Sequence, residues 1–394
     1  MKKNICWMIL LFLASSCQNE LYKNPLDEFQ SEQGVYIATK GILQSFVEED
    51  KDTKIDGLQV ALAVQDTREV NVTLEAGSEE QLKAYNAKNG TNYIVLPKEM
   101  YEISQSVTFM PRYAMVDVPI TLKNVKFSME GNYALPVRIT GGDVNVIKGQ
   151  EETLLVLEQR VNTKALRIST DGRGSGSEDN TMFPSDFKVD QWTMEVMVNR
   201  SSYRSNNRSI CGTKLVENAG TLDEIYVRFG DVTINPNQLQ IKTGSSQIDI
   251  PADKFSAQPD TWYMLAFVYD GQKNSVYVNG ALVAEREIRT GPYGLIGFWI
   301  GGSNELIREV RFWKTARTPQ EIASNVWKMV NPDDENLLLY YPLNGKKRDR
   351  ETGEVVEDDT KLWDWSKSGK DLPKHSTYTF DDNGGNGFIF PPQE

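Results

Sequence analysis

The chain has 394 residues, with 43 Lys and Arg against 55 Asp and Glu, and a formal net charge of −12. That balance argues against a nucleic-acid binder, because phosphate recognition needs clustered Lys and Arg. At 39% hydrophobic and 25% charged residues the chain should fold rather than stay disordered, and its length allows about two or three domains.

The N-terminus reads as an export signal. In "MKKNICWMILLFLASSCQNE" two lysines precede an apolar run from Ile5 to Leu13, followed by small residues. That run is too short to span a bilayer as a permanent helix. Its end, "LASSC", resembles a bacterial lipobox, with Ala14 where the usual leucine stands. The resemblance implies cleavage after residue 16, lipid on Cys17 and anchoring in the outer membrane; the alternative is an ordinary signal peptide. Of three cysteines, Cys6 would leave with the signal and Cys17 would carry lipid, so Cys211 has no partner for a disulfide. Residues 17–33 are polar and read as a tether.

Residues 34–160 alternate as strands do. "LQVALAVQ" (58–65) and "EVNVTLEA" (69–76) flank a short polar turn and read as a hairpin. One helix follows in "SEEQLKAYNAKNG", with Ser78 as cap, Gln81 as its capping-box partner and Gly90 as the stop. Four further strand-like segments suggest an immunoglobulin-like β-sandwich. The run "LKAYNAKNGTNYIVLPKEMYEIS" (82–104) with "YALPVRIT" (133–140) resembles the N-terminal domain of Bacteroidetes surface lipoproteins known as domain of unknown function 1735. The resemblance implies a module near the membrane in proteins linked to glycan capture, and it carries no catalytic residues.

Residues 161–394 open with "VNTKALRIST", and a Gly- and Ser-rich stretch, "DGRGSGSEDN", follows as a loop. Strands recur to about residue 314 at the spacing of a jelly roll. In "WYMLAFVYDGQKNSVYVNGALVAE" (262–285), Asp270-Gly271 starts one turn and Asn279-Gly280 suits a two-residue type I′ hairpin. Asp270 is therefore a turn former rather than an acid, with Val276 and Val278 on one face and Tyr277 on the other. A second helix is expected in "TPQEIASNVWKMV", capped by Thr318 and Glu321, with Ile322, Val326 and Met329 on one face. "NLLLYYPLN" reads as a buried strand, and "GKKRDRETGEVVEDDTK" as an exposed loop. The segments "WYMLAFVYDGQKNSVYVNG", "IGG", "EVRFWKTARTPQEI", "YYPLNG" and "DWSKSGKDL" resemble, in order, the laminin-G-like or concanavalin-A-like lectin/glucanase jelly roll. The fold class is all-β: an immunoglobulin-like sandwich followed by this jelly roll.

A glycoside hydrolase needs two carboxylates. In concanavalin-A-like endo-glucanases they share one strand in an E-x-D-x-(x)-E spacing, which this sequence lacks. Glu195 stands alone, and Glu305 and Glu309, four apart, read as a solvated strand edge paired with Arg308 or Arg311. One histidine, His375, excludes His-based zinc clusters and is expected at the surface. Laminin-G-like domains often hold calcium near the rim; Asp223, Asp231 and Asn235 are candidates by residue type, with turn formation as the alternative.

Sugar binding needs aromatic planes and polar forks. Tyr203, Tyr293, Trp299, Trp363 and Trp365 lie at loops or strand ends, with Arg204 and Asn207 beside them. Trp299 and one of Trp363 and Trp365 are also candidates for the core, as Trp192, Trp262 and Trp313 are outright. The combined expectation is a lipid-anchored, non-catalytic glycan-binding protein that serves polysaccharide uptake beside an outer-membrane transporter complex. A protein-contact or adhesion module, and a hydrolase with an atypical carboxylate pair, are the alternatives.

Overall fold

A computed structural model describes residues 33–39, 41–127, 132–169, 177–214 and 223–392. The expected signal, Cys17, nearly all of the tether and residues 171–176 of the Gly-rich loop lie outside these. The chain divides into two compact units between Glu158 and Gln159. No helix among the described residues is long and apolar enough to cross a membrane.

The first unit is a sandwich. One layer holds the strands Asn145–Val146, Gly34–Ile37, Gln59–Leu62 and Met115–Asp117 in that order, together with a sheet of Thr53–Ile55, Ile120–Leu122 and Tyr101–Ile103. The facing layer runs Ile42–Glu48, Glu152–Thr163, Tyr133–Gly142, Val70–Ala76 and Ser106–Phe109. Val70, Val72 and Leu74 are buried while Asn71, Thr73 and Glu75 are exposed, so the period of two sets the inner face. The expected hairpin of residues 58–76 is corrected. Gln59–Leu62 and Val70–Ala76 belong to opposite layers, because alternation fixes which side is buried and leaves the partner open. The helix spans Glu79–Asn89; Ser78 caps the Gln81 N–H at 3.3 Å and Gly90 closes it at φ 66°. The Gln81 side chain reaches Glu152 at 2.9 Å rather than turning back to complete a capping box.

The second unit is a two-sheet jelly roll. One sheet runs Ala281–Glu287, Lys273–Val278, Trp262–Tyr269, Trp192–Arg200, Glu305–Trp313, Ala165–Ile168 and Tyr378–Asp381, with Leu337–Tyr341 also on Glu305–Trp313. The other runs Ser177–Asp179, Gly297–Ile300, Arg208–Lys214, Ile225–Asp231, Ile234–Thr243 and Ser246–Asp249. Trp192, Val227, Leu239, Phe267, Val276, Phe298 and Phe312 fill the space between them. The Asn279-Gly280 turn has both residues at positive φ, 49° and 82°, as a type I′ hairpin requires. Asp270 accepts the Gln272 and Lys273 N–H groups at 2.9 and 2.7 Å, which confirms a turn former. The second helix has the full Thr318–Glu321 capping box but ends at Ser324. Val326 and Met329 therefore lie beyond it, in non-helical chain, and do not continue its face. The expected 345–361 loop contains a hairpin of Lys346–Arg348 with Val355–Glu357.

The central strands of the eight-stranded sheet are buried on both faces, while its edge strand Ala281–Glu287 is largely exposed. On the sheet's outer side Met197, Met264 and Trp262 pack against Val326, Trp327, Phe388 and Phe390, while Tyr277 and Ala266 pack against Ile322. Charges trapped there pair with one another, two carboxylates among three guanidinium groups. Glu195 accepts from Arg311 at 3.2 Å and from the Trp313 indole at 2.9 Å, with Arg317 at 3.4 Å. Glu309 accepts from Arg311 at 2.8 Å, Arg308 at 3.0 Å and the Tyr340 hydroxyl at 2.8 Å. Burial alone would raise the Glu195 carboxyl; the Arg311 and Arg317 charges and the Trp313 hydrogen bond outweigh it and hold its pKa below the usual value.

The solvated edge expected for Glu305 and Glu309 is thus corrected: both are buried, Glu309 holds the expected Arg308 and Arg311, and Glu305 pairs instead with Arg200. A bulge explains why the two acids do not share a face. Register slips between Glu195 and Met197 against Arg311 and Arg308, with Glu309 at φ 49°. Glu195→Ala should destabilise this domain by about 3–5 kcal/mol, because it leaves the buried Arg317 guanidinium without a carboxylate and removes one of the two that hold Arg311. A urea unfolding curve with its midpoint lowered at unchanged slope is the expected result; a loss under about 1 kcal/mol would show the network to be dispensable.

Candidate functional site

With one sheet covered, the outer face of the six-stranded sheet holds the candidate site. Alternation in "EIYVRFGD" turns Ile225, Val227 and Phe229 inward and Glu224, Tyr226 and Arg228 outward. A cleft of about 470 Å³ opens there, with Tyr226, Arg228, Trp299, Asn207, Lys214 and Glu224 among its walls. Its floor depends on Gly212, which is the cross-strand neighbour of both Trp299 and Tyr226. A Cβ at Gly212 would lie 2.5 Å from the Ile225 oxygen and 3.0 Å from the Trp299 ring. Only glycine lets the indole lie across this strand.

The polar groups are ordered before any ligand arrives. Arg228 donates to Gln240 at 2.6 Å, Asn207 at 2.7 Å and Asp231 at 2.6 Å, with its guanidinium 5.7 Å from the Tyr226 ring centre. Gln240 donates onward to Asp231 at 3.1 Å and Asp249 at 2.6 Å. Lys214 pairs with Glu178 at 2.9 Å. Burial raises the Glu224 carboxyl above its usual pKa, against the pull of Lys214 and Lys242. Burial also acts on Asp231, but hydrogen bonds from Gln240 and the Val232 N–H, with the Arg228 charge, leave its pKa lowered. Glu224 and Asp231 stand at opposite ends of one strand, about 23 Å apart at the rise of an extended chain. A glycosidase pair sits within about 10 Å, so these two acids cannot act together.

The structure brings Asn207 and Trp299 into the cleft and disperses the other expected glycan residues. Tyr293 is fully buried, edge-on to Trp192 and Tyr269 at 5.7 and 4.9 Å. It is a core residue because its strand pairs Lys188–Val189 and turns its ring inward. Tyr203 packs on Phe229 at 5.1 Å beneath the Arg200 guanidinium and presents no open plane. Trp365 is buried against Tyr340, its indole bound to the Lys346 carbonyl at 3.1 Å. Trp363 is half-buried between Lys347 and Lys361, away from the cleft walls. Arg204 is exposed and is not among the lining residues. Trp299 faces the cleft yet is 7% exposed, so Tyr226 is its more open ring. Trp192 and Trp313 are core residues, while Trp262 is half-buried against Phe388 and Phe390. His375 is tied to Thr377 at 2.8 Å.

Two of the three calcium candidates, Asp223 and Asp231, hold arginines. Asp223 accepts from Arg289 at 2.5 Å and from the Gly294 N–H at 2.8 Å. Asp231 holds Arg228, and the Asn235 N–H donates to Gln238. No group of three or more His, Cys, Asp or Glu side chains gathers among the described residues.

Residues 162–323 match the family model of the concanavalin A-like lectin/glucanases superfamily, and residues 29–146 match a model of an N-terminal domain. The second unit has the concanavalin A-like fold. Among solved structures, a Bacteroides ovatus protein provisionally named a carbohydrate-binding protein aligns with TM-score 0.58 at 21% identity, over 88% of this chain and 97% of that one. At that identity the likeness speaks for the fold. Weaker matches include a pentraxin from Limulus polyphemus (TM-score 0.34, 14% identity, 50% of this chain and 93% of that one). Another is domain 4 of an extracellular arabinanase from Geobacillus stearothermophilus (TM-score 0.30, 16% identity, 42% and 87%). No curated protein matches the sequence.

One wall of the cleft, Gly302 and Ser303, rests on Glu305, whose carboxylate accepts the Ser303 N–H and pairs with Arg200 at 3.1 Å. Burial raises the Glu305 pKa to about 7, against the pull of Arg200, the Ser303 N–H and Arg208. A carboxyl raised in the folded state adds stability below its ordinary pKa of 4.5 and loses it as pH climbs through about 7. Thermal midpoints of wild type should fall across that window, and Glu305→Gln should flatten the decline whatever its absolute stability. An identical slope in both proteins would remove Glu305 as its source.

Proposed function

We propose that the protein is a non-catalytic glycan-binding lipoprotein, and that its jelly roll holds a polysaccharide on the outer face of the six-stranded sheet. The observation that carries this reading is the Trp299–Gly212–Tyr226 row. It sets aromatic surface across three adjacent strands, beside Arg228 and Asn207 groups already fixed by hydrogen bonds, with the fully buried Gln240 holding the Arg228 guanidinium in place. Pyranose rings present apolar C–H faces and hydroxyl edges, and such a surface meets both without reorganising. The name of the Bacteroides ovatus relative and the superfamily match support the same ligand class.

The export signal and Cys17 favour anchoring in the outer membrane, with the first domain as spacer and uptake of the captured glycan by a neighbouring transporter. Cys17→Ser should move the protein from the membrane to the soluble fraction; retention in the membrane would remove the lipid anchor.

Calorimetry or gel retardation against plant, host and microbial polysaccharides tests the binding reading. Tyr226→Ala should weaken the best ligand at least about tenfold, with an unchanged melting curve. Unaltered affinity would move the site elsewhere. Sugar released from the same panel, and abolished in Glu224→Gln, would replace binding with hydrolysis.

A further inference from the structure

We infer that the cleft selects neutral glycans and rejects acidic ones, an inference that rests on the glycan-binding reading. The whole chain carries a net −12, yet the charges on this face balance. Arg208, Lys214, Arg228 and Lys242 stand against Glu178, Glu224, Asp231 and Asp249. Two of the four cations are held in direct ion pairs. Arg228 holds Asp231 at 2.6 Å and Lys214 holds Glu178 at 2.9 Å. Glu224 lies in the fields of both Lys214 and Lys242. Asp249 takes hydrogen bonds from Gln240 at 2.6 Å and Gln247 at 3.2 Å.

A uronate or sulfate entering here would have to take a cation away from its carboxylate, leaving that carboxylate uncompensated in a half-buried cleft. Separating the largely buried Arg228–Asp231 pair, each side chain 13% exposed, is costly, and the more open Lys214–Glu178 pair adds a smaller penalty. A neutral sugar avoids it. Its hydroxyls donate to the carboxylate and amide oxygens and accept from the guanidinium and ammonium hydrogens, so both members of each pair stay satisfied. Charge on the face thus acts as a filter against the wrong ligand while the aromatic row supplies attraction.

The two arms of the test are neutral polysaccharides (glucans, mannans, xylans) and acidic ones (polygalacturonate, sulfated galactans), each measured at low and high salt by gel retardation. The expected result is retention by a neutral polymer with affinity insensitive to salt. Binding of an acidic polymer that weakens steeply with salt would overturn the selectivity while leaving glycan binding in place. No retention by either class would overturn the glycan reading itself. Glu178 is partly exposed, with 44% of its side chain open to solvent, so its replacement should leave the fold intact. Glu178→Gln releases Lys214 and should gain salt-sensitive affinity for the acidic polymer. A variant that still excludes that polymer as wild type does would show that the ion pairs are not the filter.

Discussion

Strands buried on both faces must leave their charged residues dry, and the second domain is arranged around that constraint at the centre of its eight-stranded sheet. Glu195, Glu309, Arg308, Arg311 and Arg317 lie on the covered side of the eight-stranded sheet, closed in by the short helix and the last strand. The two carboxylates are shared among the three guanidinium groups, Glu309 with Arg308 and Arg311 of its own strand and Glu195 with Arg311 of the adjacent strand and with Arg317. The Glu309 bulge is the backbone adjustment that allows it, because it turns two successive residues to the same side. Such networks add little net stability over a well-packed apolar alternative; their effect is to penalise every arrangement that separates the partners.

With the centre of one sheet sealed, the other sheet offers the open face on which the proposed site lies. The outer face of the six-stranded sheet is polar in the same alternating phase that would otherwise be plain solvated surface. Three features distinguish it: an indole laid over a glycine, a tyrosine in the neighbouring strand, and a chain of hydrogen bonds from Asn207 through Arg228 and Gln240 to Asp249. Ordering those side chains in advance would lower the entropy cost of binding the proposed polymer. The Gly302–Ser303 wall joins this face to Glu305, a carboxyl on the inward phase of its strand, so the cleft is linked to a group that titrates near neutrality.

Much of the fold was legible as local pattern. Ser78 and Gly90 bound the first helix, Thr318 and Glu321 cap the second, and Asn279-Gly280 turns the hairpin, because each is a contact among residues close in sequence. The site was less legible. Aromatic residues near loops drew attention to Tyr203 and Tyr293, which the sandwich buries. Tyr226 escaped notice because it lies within a regular strand, although an aromatic in the polar phase of "EIYVRFGD" was the available signal.

By itself the sequence determined the β class, the division into two domains' worth of strands, the turn chemistry and the lack of a two-histidine metal site. These follow from periods of two, from special backbone conformations and from residue counts, all of which act over a few residues. Tertiary structure decided which strands pair, which sheet is sealed and which is open, and whether a given aromatic is core or surface. Those outcomes depend on cross-strand register and on which segment covers which face. Gly212, Tyr226 and Trp299 come together from positions up to 87 residues apart in the chain, and no local pattern specifies that meeting.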